Sequence, residues 1–292
     1  MATKLNRILP AAWLKITLLV HAIAVAAVLI ERRLWPWSVG ALVLNHVLLM
    51  LGGLLPRSRL LGPNWTRLPQ GFDAVALTID DGPDPAVTPA VLDMLARHGV
   101  RATFFCTGEQ VAQHPQLARR IAHEGHEIGN HTEHHRYVFS LFGPAAIRRE
   151  IALAQEHIQS VCAVVPRFFR APAGLRNPFL QPCLDTLDLQ LVSWTRRGYD
   201  TMRSDAAGVL ERLTKNLAAG DILLLHDGRA ARTGDGTPVI LAVLPGLLAM
   251  LAVRKLRCRN TVRGFAGKAL KGQSGDATEG RMQLEFDWSL SG

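Results

Sequence analysis

Two adjacent carboxylates, Asp80 and Asp81, end the apolar run in LTIDDGPDP, residues 77–85. A Gly-Pro turn follows them directly. Adjacent aspartates repel each other and Asp has a poor strand propensity, so their place at the end of a predicted strand needs a reason. A cation bound beside them would supply it. On turn and capping preferences alone, an Asp-Asp pair is more often a helix cap or a solvated turn.

Histidines with metal-ligand spacing follow a later strand-like run. His131 comes after HEIGN, and His135 lies four residues further on. If this segment is helical, side chains at i and i+4 face the same side and can offer two nitrogens to one metal ion. His134 has the i+3 spacing instead, and on helical facing alone we expect it not to be a ligand.

Three more polar residues stand where predicted strands end. Arg170 closes RFFR, Asp200 follows SWTRRGY, and His226 ends DILLLH. Each signal alone is weak, because the chain has 11 histidines and an HxxxH pair often occurs by chance. In α/β folds, however, functional residues collect at the carboxyl ends of the strands. The ordered set therefore predicts a single site.

The elements that must position these residues alternate along the chain after about residue 70. AVALTID and ILLL are apolar at successive positions, which is typical of strands buried on both faces. TPAVLDMLARHG and HPQLARRIAHEG have helical periodicity and end in Gly, a helix stop signal. This alternation predicts a parallel sheet covered by helices, and the number of units favours a barrel-like α/β domain.

The first sixty residues contain two apolar segments of about 20 residues each, the length that crosses a bilayer. Trp13, Trp35 and Trp37 fall where an interfacial aromatic belt would place them. A cleaved signal peptide is the alternative, since Lys4 and Arg7 precede the first segment. The second segment argues against it, because a secreted domain would not begin with another spanning stretch. We therefore predict a transmembrane helical hairpin in the cell (inner) membrane.

Basic residues flank both outer ends of the hairpin. Arg57, Arg59 and Arg67 follow it, whereas only Arg32 and Arg33 lie in the connector. The positive-inside rule therefore places the remaining domain in the cytoplasm. The formal charge of +9 suits contact with anionic membrane lipids. An aromatic content of 6% without a basic-aromatic stripe argues against nucleic acid.

Composition and cysteine spacing complete the division of the chain. Four scattered cysteines without a CxxC pair indicate neither a disulfide framework nor a zinc-thiolate site, which fits a reducing compartment. After residue 256 the chain becomes basic and loses periodicity, which predicts disorder. We predict two transmembrane helices in 1–56, a linker in 57–70, an α/β domain in 71–256 and a disordered tail in 257–292.

The polar set resembles the motifs of the NodB-homology polysaccharide deacetylases, carbohydrate esterase family 4. The matching stretches, in the family's order, are TIDDGP (78–83), HTEHH (131–135), RAPAG (170–174), WTRRGYD (194–200) and LLLH (223–226). The resemblance covers roughly residues 70–250. It implies an α/β fold that is a deformed (β/α) barrel of the NodB-homology type, here preceded by the transmembrane hairpin.

By motif position, the resemblance implies that Asp80 is a general base and that Asp81, His131 and His135 hold one divalent metal ion. Two histidines and one aspartate leave coordination positions open, as in catalytic rather than structural centres. Zinc suits these ligands, and cobalt, nickel and manganese are alternatives. Such a metal activates water for hydrolysis.

The remaining motif positions have implied roles as well. Arg170 would orient Asp80 and keep its pKa low. His226 would protonate the departing amine, and Asp200 would favour the imidazolium form of His226. A backbone N–H near Ala173, which stands where the family usually has Tyr, would donate to the oxyanion.

The resulting prediction is a metal-dependent hydrolase that removes an N-acyl group from an amino sugar. Acetyl is the first candidate for this acyl group. A cytoplasmic domain would favour a lipid-linked sugar as substrate, and an outward-facing one a polysaccharide such as peptidoglycan. An O-deacetylase, a lipid-linked aminosugar deformylase and a non-catalytic, membrane-tethered glycan-binding module remain alternatives. Every expected chemical position is occupied, which argues against the last. The sequence leaves the oligomeric state open.

Overall fold

The computed structural model describes residues 9–69 and 73–259, which form nine α-helices and eight β-strands. The helices are α1 (Leu9–Ile30), α2 (Trp35–Leu54), α3 (Thr88–Arg97), α4 (Gly108–Gln113), α5 (Pro115–His123), α6 (Pro144–Cys162), α7 (Leu180–Thr186), α8 (Ala206–Thr214) and α9 (Val239–Val253). The strands are β1 (Ala74–Asp80), β2 (Thr103–Cys106), β3 (Glu127–Asn130), β4 (Phe168–Phe169), β5 (Gln190–Leu191), β6 (Arg196–Arg197), β7 (Ile222–His226) and β8 (Arg257–Arg259).

The strands form one sheet in the order β5-β4-β3-β2-β1-β7-β6, with β8 paired to β1. Every pair of strands is parallel, and β5 and β6 are the edges of this path. In the described part of the chain the outer strands β5 and β6 do not pair with each other, so the barrel is incomplete. The predicted alternation and the deformed (β/α) barrel are confirmed.

Strand β1 lies at the centre and is buried on both faces. Val75, Leu77 and Ile79 pack into the large core under the outer helices. Ala76, between them, belongs to the apolar lining of the barrel interior. This period of two sends Asp80 inward at the carboxyl end of the strand. In the register of β1 with β7, Asp80 is opposite His226, so both reach the same rim of the barrel.

The described part of the predicted linker packs against the barrel. Trp65 forms a parallel bridge with Val192, and Arg67 forms an antiparallel bridge and an ion pair with Asp221. Residues 65–68 therefore belong structurally to the domain, which corrects the predicted linker. Strand β8 pairs with β1 and extends the domain past the predicted boundary at residue 256. The predicted tail beyond residue 259 lies outside the described residues.

Helices α1 and α2 form the predicted antiparallel hairpin. Both are long and apolar enough to cross a membrane, and most of the exposed large apolar side chains of the described chain lie on them. Their polar residues face each other: Thr17 donates to Asn45, and the rings of His21 and His46 lie 5.3 Å apart. Polar side chains that pair between helices are tolerated within a bilayer.

Candidate active site

The carboxyl ends of β1 and β3 bring one carboxylate and two imidazoles together. Asp81 Oδ1 lies 3.3 Å from Nε2 of His131 and 3.2 Å from Nε2 of His135. The three ligand atoms lie within 4.8 Å of one another, and all three side chains are nearly buried. Although burial opposes its charge, contact with His131 and the nearby imidazoles hold the pKa of Asp81 below its ordinary value.

The polarity of these groups fits a cation. Nδ1 of His131 lies 2.8 Å from the carbonyl oxygen of Arg170, which can only accept, so Nδ1 carries the ring proton. Nε2 of His131, directed at the Asp81 carboxylate, is then the ring nitrogen available to a metal ion. Asp81 Oδ1 is buried and has no hydrogen-bond partner among the described residues. Acceptors that face each other in a buried site are favourable when a cation lies between them.

The second histidine reaches this site from an irregular loop. Residues 131–135 are not helical, so helical i, i+4 spacing is not the reason why His131 and His135 lie together. Thr132 and His135 instead have positive φ of 69° and 48°, which turns the chain sharply enough to bring both rings to Asp81. His134 is directed elsewhere, and its Nδ1 lies 2.9 Å from Glu150 Oε1. Asp81 itself has φ 78°, so strained backbone is concentrated at this site.

Beside the cluster, Asp80 is held by a buried arginine. Nη1 of Arg170 donates to Asp80 Oδ1 at 2.6 Å and to Thr78 Oγ1 at 2.8 Å. The guanidinium also donates to the carbonyls of Val192 and Ser193. Burial lowers the pKa of Arg170, and the adjacent Asp80 opposes this effect. This network fixes the carboxylate in one orientation at the rim.

On the other side of β1, His226 is paired with Asp200. Nδ1 of His226 lies 2.9 Å from Asp200 Oδ1, and the His226 backbone N–H donates to Oδ2 at 2.7 Å. Burial disfavours the charged imidazole, but Asp200, together with Asp81 and Asp80, outweighs burial and raises the pKa of His226. Asp200 is fully buried, so its charge acts at short range in a weakly polar medium.

A cavity of about 290 Å³ opens above these groups. Asp80, Asp81, His131, His135 and His226 line one part of it, and Ala173, Trp194 and Tyr137 line another. Ala173 has φ 54° in the turn Pro172–Gly174. Of the predicted site residues, Arg170 and Asp200 lie behind this lining, and the rest reach the cavity.

Comparisons with known proteins match this arrangement. A family model described as polysaccharide deacetylase matches residues 67–192. A chitooligosaccharide deacetylase of Bradyrhizobium sp. (strain ANU 289) is 39% identical over 159 residues, which are 54% of this chain and 72% of that protein. A peptidoglycan-N-acetylglucosamine deacetylase of Bacillus cereus is 34% identical over 182 residues, 62% of this chain and 84% of that protein. The chain belongs to the polysaccharide deacetylase family.

The solved structures agree with this membership. A crystal structure of a peptidoglycan N-acetylglucosamine deacetylase matches with a TM-score of 0.63 and 28% sequence identity. The match covers 70% of this chain and 92% of that chain. The predicted resemblance and fold are therefore confirmed. As a polysaccharide deacetylase family member, the chain is a hydrolase of non-peptide carbon–nitrogen bonds.

Several residues of this polysaccharide deacetylase site escaped the sequence analysis. Asp227, next to His226, is fully buried, accepts from Thr88 Oγ1 at 2.5 Å, and has a pKa raised to about 7 by burial and by the nearby Asp81. Arg197 and Arg229 line the cavity. Asp227 and Arg229 could have been identified from the sequence, because both closely follow a predicted strand end. Nothing in the local sequence distinguishes Arg197 from its neighbour Arg196.

Proposed function

We propose that this deacetylase removes the N-acetyl group from an amino sugar within a glycan. The first candidate for this sugar is N-acetylglucosamine. The observation that carries the proposal is the buried, unpartnered Oδ1 of Asp81 facing Nε2 of His131 and of His135. The two related proteins described above are named for N-acetylglucosamine-containing or chitin-derived glycans, which supports this substrate class.

Asp81, His131 and His135 would hold one divalent cation. The nitrogen and oxygen donors suit zinc, and cobalt, nickel and manganese are the alternatives. When bound, such an ion polarises the acyl oxygen and lowers the pKa of water. The protein supplies the remaining chemistry.

The residues around the cluster have complementary proton-transfer roles in this proposal. Asp80, oriented by Arg170 at 2.6 Å, accepts the proton of the attacking water. The backbone N–H of Ala173, on the cavity wall, donates to the developing oxyanion. His226, kept protonated by Asp200, donates a proton to the departing nitrogen, because an amine anion is too poor a leaving group to depart alone.

The His226–Asp200 pair favours amide over ester cleavage. An alkoxide leaves far more easily than an amide anion, so an O-deacetylase depends less on a general acid. Burial of the carboxylate that raises the pKa of His226 costs folding free energy. The need of amide hydrolysis for a protonated acid explains why the pair is present. Removal of N-formyl from a lipid-linked amino sugar uses the same groups and differs only in the acyl group.

We further propose that α1 and α2 anchor the enzyme in the cell membrane, with the barrel on the cytoplasmic side. The apolar length of both helices and the basic residues outside them support this arrangement. A reporter that is active on only one side of the membrane, fused after residue 292, tests the orientation. Activity of a periplasm-specific reporter there would contradict the cytoplasmic placement and favour a polymer outside the membrane.

The proposed reaction is tested by acetate release from N-acetylglucosamine oligosaccharides by the purified full-length chain. We expect Asp80→Asn and His226→Ala each to lower kcat by about 100-fold or more, the usual contribution of a positioned acid or base. His134→Gln, which changes a neighbouring non-ligand histidine, controls for disturbance of the loop. Wild-type activity in Asp80→Asn would contradict the proposal.

A further inference from the structure

Several arginines of the barrel have a carboxylate partner. Arg170 is paired with Asp80, and Arg67 and Arg196 share Asp221. Arg196 and Arg197 are successive residues of β6, so their side chains point to opposite faces. Arg196 meets its carboxylate on the outer side. Arg197 points into the cavity instead.

Arg197 is held in place without being neutralised. Its guanidinium carbon lies 5.3 Å from the ring centre of Trp194 and 5.0 Å from that of Tyr199. Its Nε is buried and has no hydrogen-bond partner, and no carboxylate lies within 4.0 Å of it in residues 9–69 and 73–259. A buried, unpaired donor of a charged group is costly, so the site gains when an acceptor arrives.

Arg229 is a second cation on the cavity wall. It follows β7 with φ 57°, and its guanidinium lies 5.4 Å from the ring centre of Tyr137. Its Nη1 lies 2.6 Å from Nδ1 of His135. In residues 9–69 and 73–259, Arg229 has no carboxylate partner within 4.0 Å.

Two guanidinium groups without a carboxylate partner line one small cavity, which suits an anion better than an uncharged sugar. Their planar forks match phosphate oxygens. We propose that Arg197 and Arg229 recognise a phosphate group carried by the amino-sugar substrate. The inference rests on the proposed deacetylation and adds to it the class of substrate, a phosphorylated glycan.

The position of the membrane hairpin bears on where that phosphate comes from. Pro56, just after α2, lies against Gly174 of the cavity wall, where a Cβ would approach Pro56 Cβ to 2.8 Å. The Pro56 carbonyl accepts from Ser193 Oγ at 2.7 Å. The cavity wall is therefore continuous with the end of a membrane helix. A phosphate that links the sugar to a lipid and a phosphate on a water-soluble glycan share the same recognition chemistry.

The test compares three substrates with the full-length chain in detergent micelles. They are a neutral tetrasaccharide of N-acetylglucosamine, its 1-phosphate, and the same tetrasaccharide linked through phosphate to a polyprenyl chain. We expect KM for the 1-phosphate to be about 10- to 100-fold below that of the neutral sugar, the usual effect of a charge-assisted hydrogen bond. A still lower KM for the lipid-linked sugar would identify a lipid carrier as the source, whereas equal values would indicate a soluble glycan phosphate.

Variants separate recognition from chemistry. Arg197→Gln and Arg229→Gln should each raise KM for the phosphorylated substrate about 10-fold more than they raise KM for the neutral one. Arg197→Lys, which keeps a charge without the fork, should lie between. Arg203→Gln removes an exposed cation outside the cavity lining and should change neither.

Two results would overturn the inference. Equal kcat/KM for neutral and phosphorylated tetrasaccharides in the wild type is one, and it needs no variant to fold. An equal loss on both substrates in Arg197→Gln and Arg229→Gln is the other. If none of the three substrates is deacetylated, the proposed function itself fails, which is a distinguishable outcome.

Discussion

At the scale of single residues, Asp200 determines the protonation state of His226. His226 must be protonated to act as an acid, so the rate falls as pH rises through its pKa, which Asp200 raises. Asp200→Asn removes that charge and keeps a similar shape. We expect the alkaline limb of the kcat/KM profile to move about 1–2 pH units lower, the usual effect of losing an adjacent opposite charge. An unmoved limb would show that His226 is not the acid.

Single residues also show where sequence reasoning succeeds and where it stops. Asp80 and His226 could be placed together because each ends a buried apolar run, and such runs align at one rim. The loop that carries His131 and His135 could not be derived, because positive φ at Thr132 leaves no periodic signal. Arg197 was missed because its inward direction depends on the register of a two-residue strand.

At the scale of elements, the end of α2 is bonded to the loop that carries Ala173. The backbone N–H of Arg176 donates to the Gly53 carbonyl at 3.0 Å, and its buried guanidinium donates to the carbonyls of Gly52 and Ser58. Burial lowers the pKa of Arg176 to about 10. A Cβ at Gly53 would overlap the Arg176 carbonyl oxygen, so only glycine permits this approach.

We therefore expect Gly53→Ala to push α2 and the loop apart. It should destabilise the protein by about 1–3 kcal/mol, as overpacking does, and lower kcat because Ala173 moves. Thermal unfolding and acetate release in detergent measure the two effects. Gly40→Ala on the same helix, where a Cβ meets nothing within 4 Å, is the matched control. Equal behaviour of the two variants would show that the junction does not position the loop.

The same junction explains an error in the sequence analysis. A stretch rich in Pro, Gly and Arg at 57–70 is typical of a linker, yet Trp65 and Leu68 are packed on the barrel. The unpaired edges of β5 and β6 leave room for an extra segment, and these edges exist only in the folded sheet. The composition of residues 57–70 therefore cannot predict the packing of Trp65 and Leu68.

At the scale of the whole molecule, the proposed membrane anchoring rests on the exposed apolar surface of α1 and α2. We expect the full-length chain to sediment with membranes and to be released by detergent but not by high salt. Intact mass should retain the N-terminal segment. A shorter, soluble product that begins after the first apolar segment would instead support a cleaved signal peptide.

The central claim is that one divalent cation, held by Asp81, His131 and His135, is required for deacetylation. The most direct test measures metal content and acetate release in the same samples, before chelation, after chelation, and after addition of zinc. We predict one equivalent of metal in the active protein, loss of both metal and activity with chelator, recovery of both with zinc, and neither in His131→Ala. Full activity in a metal-free sample would contradict the account.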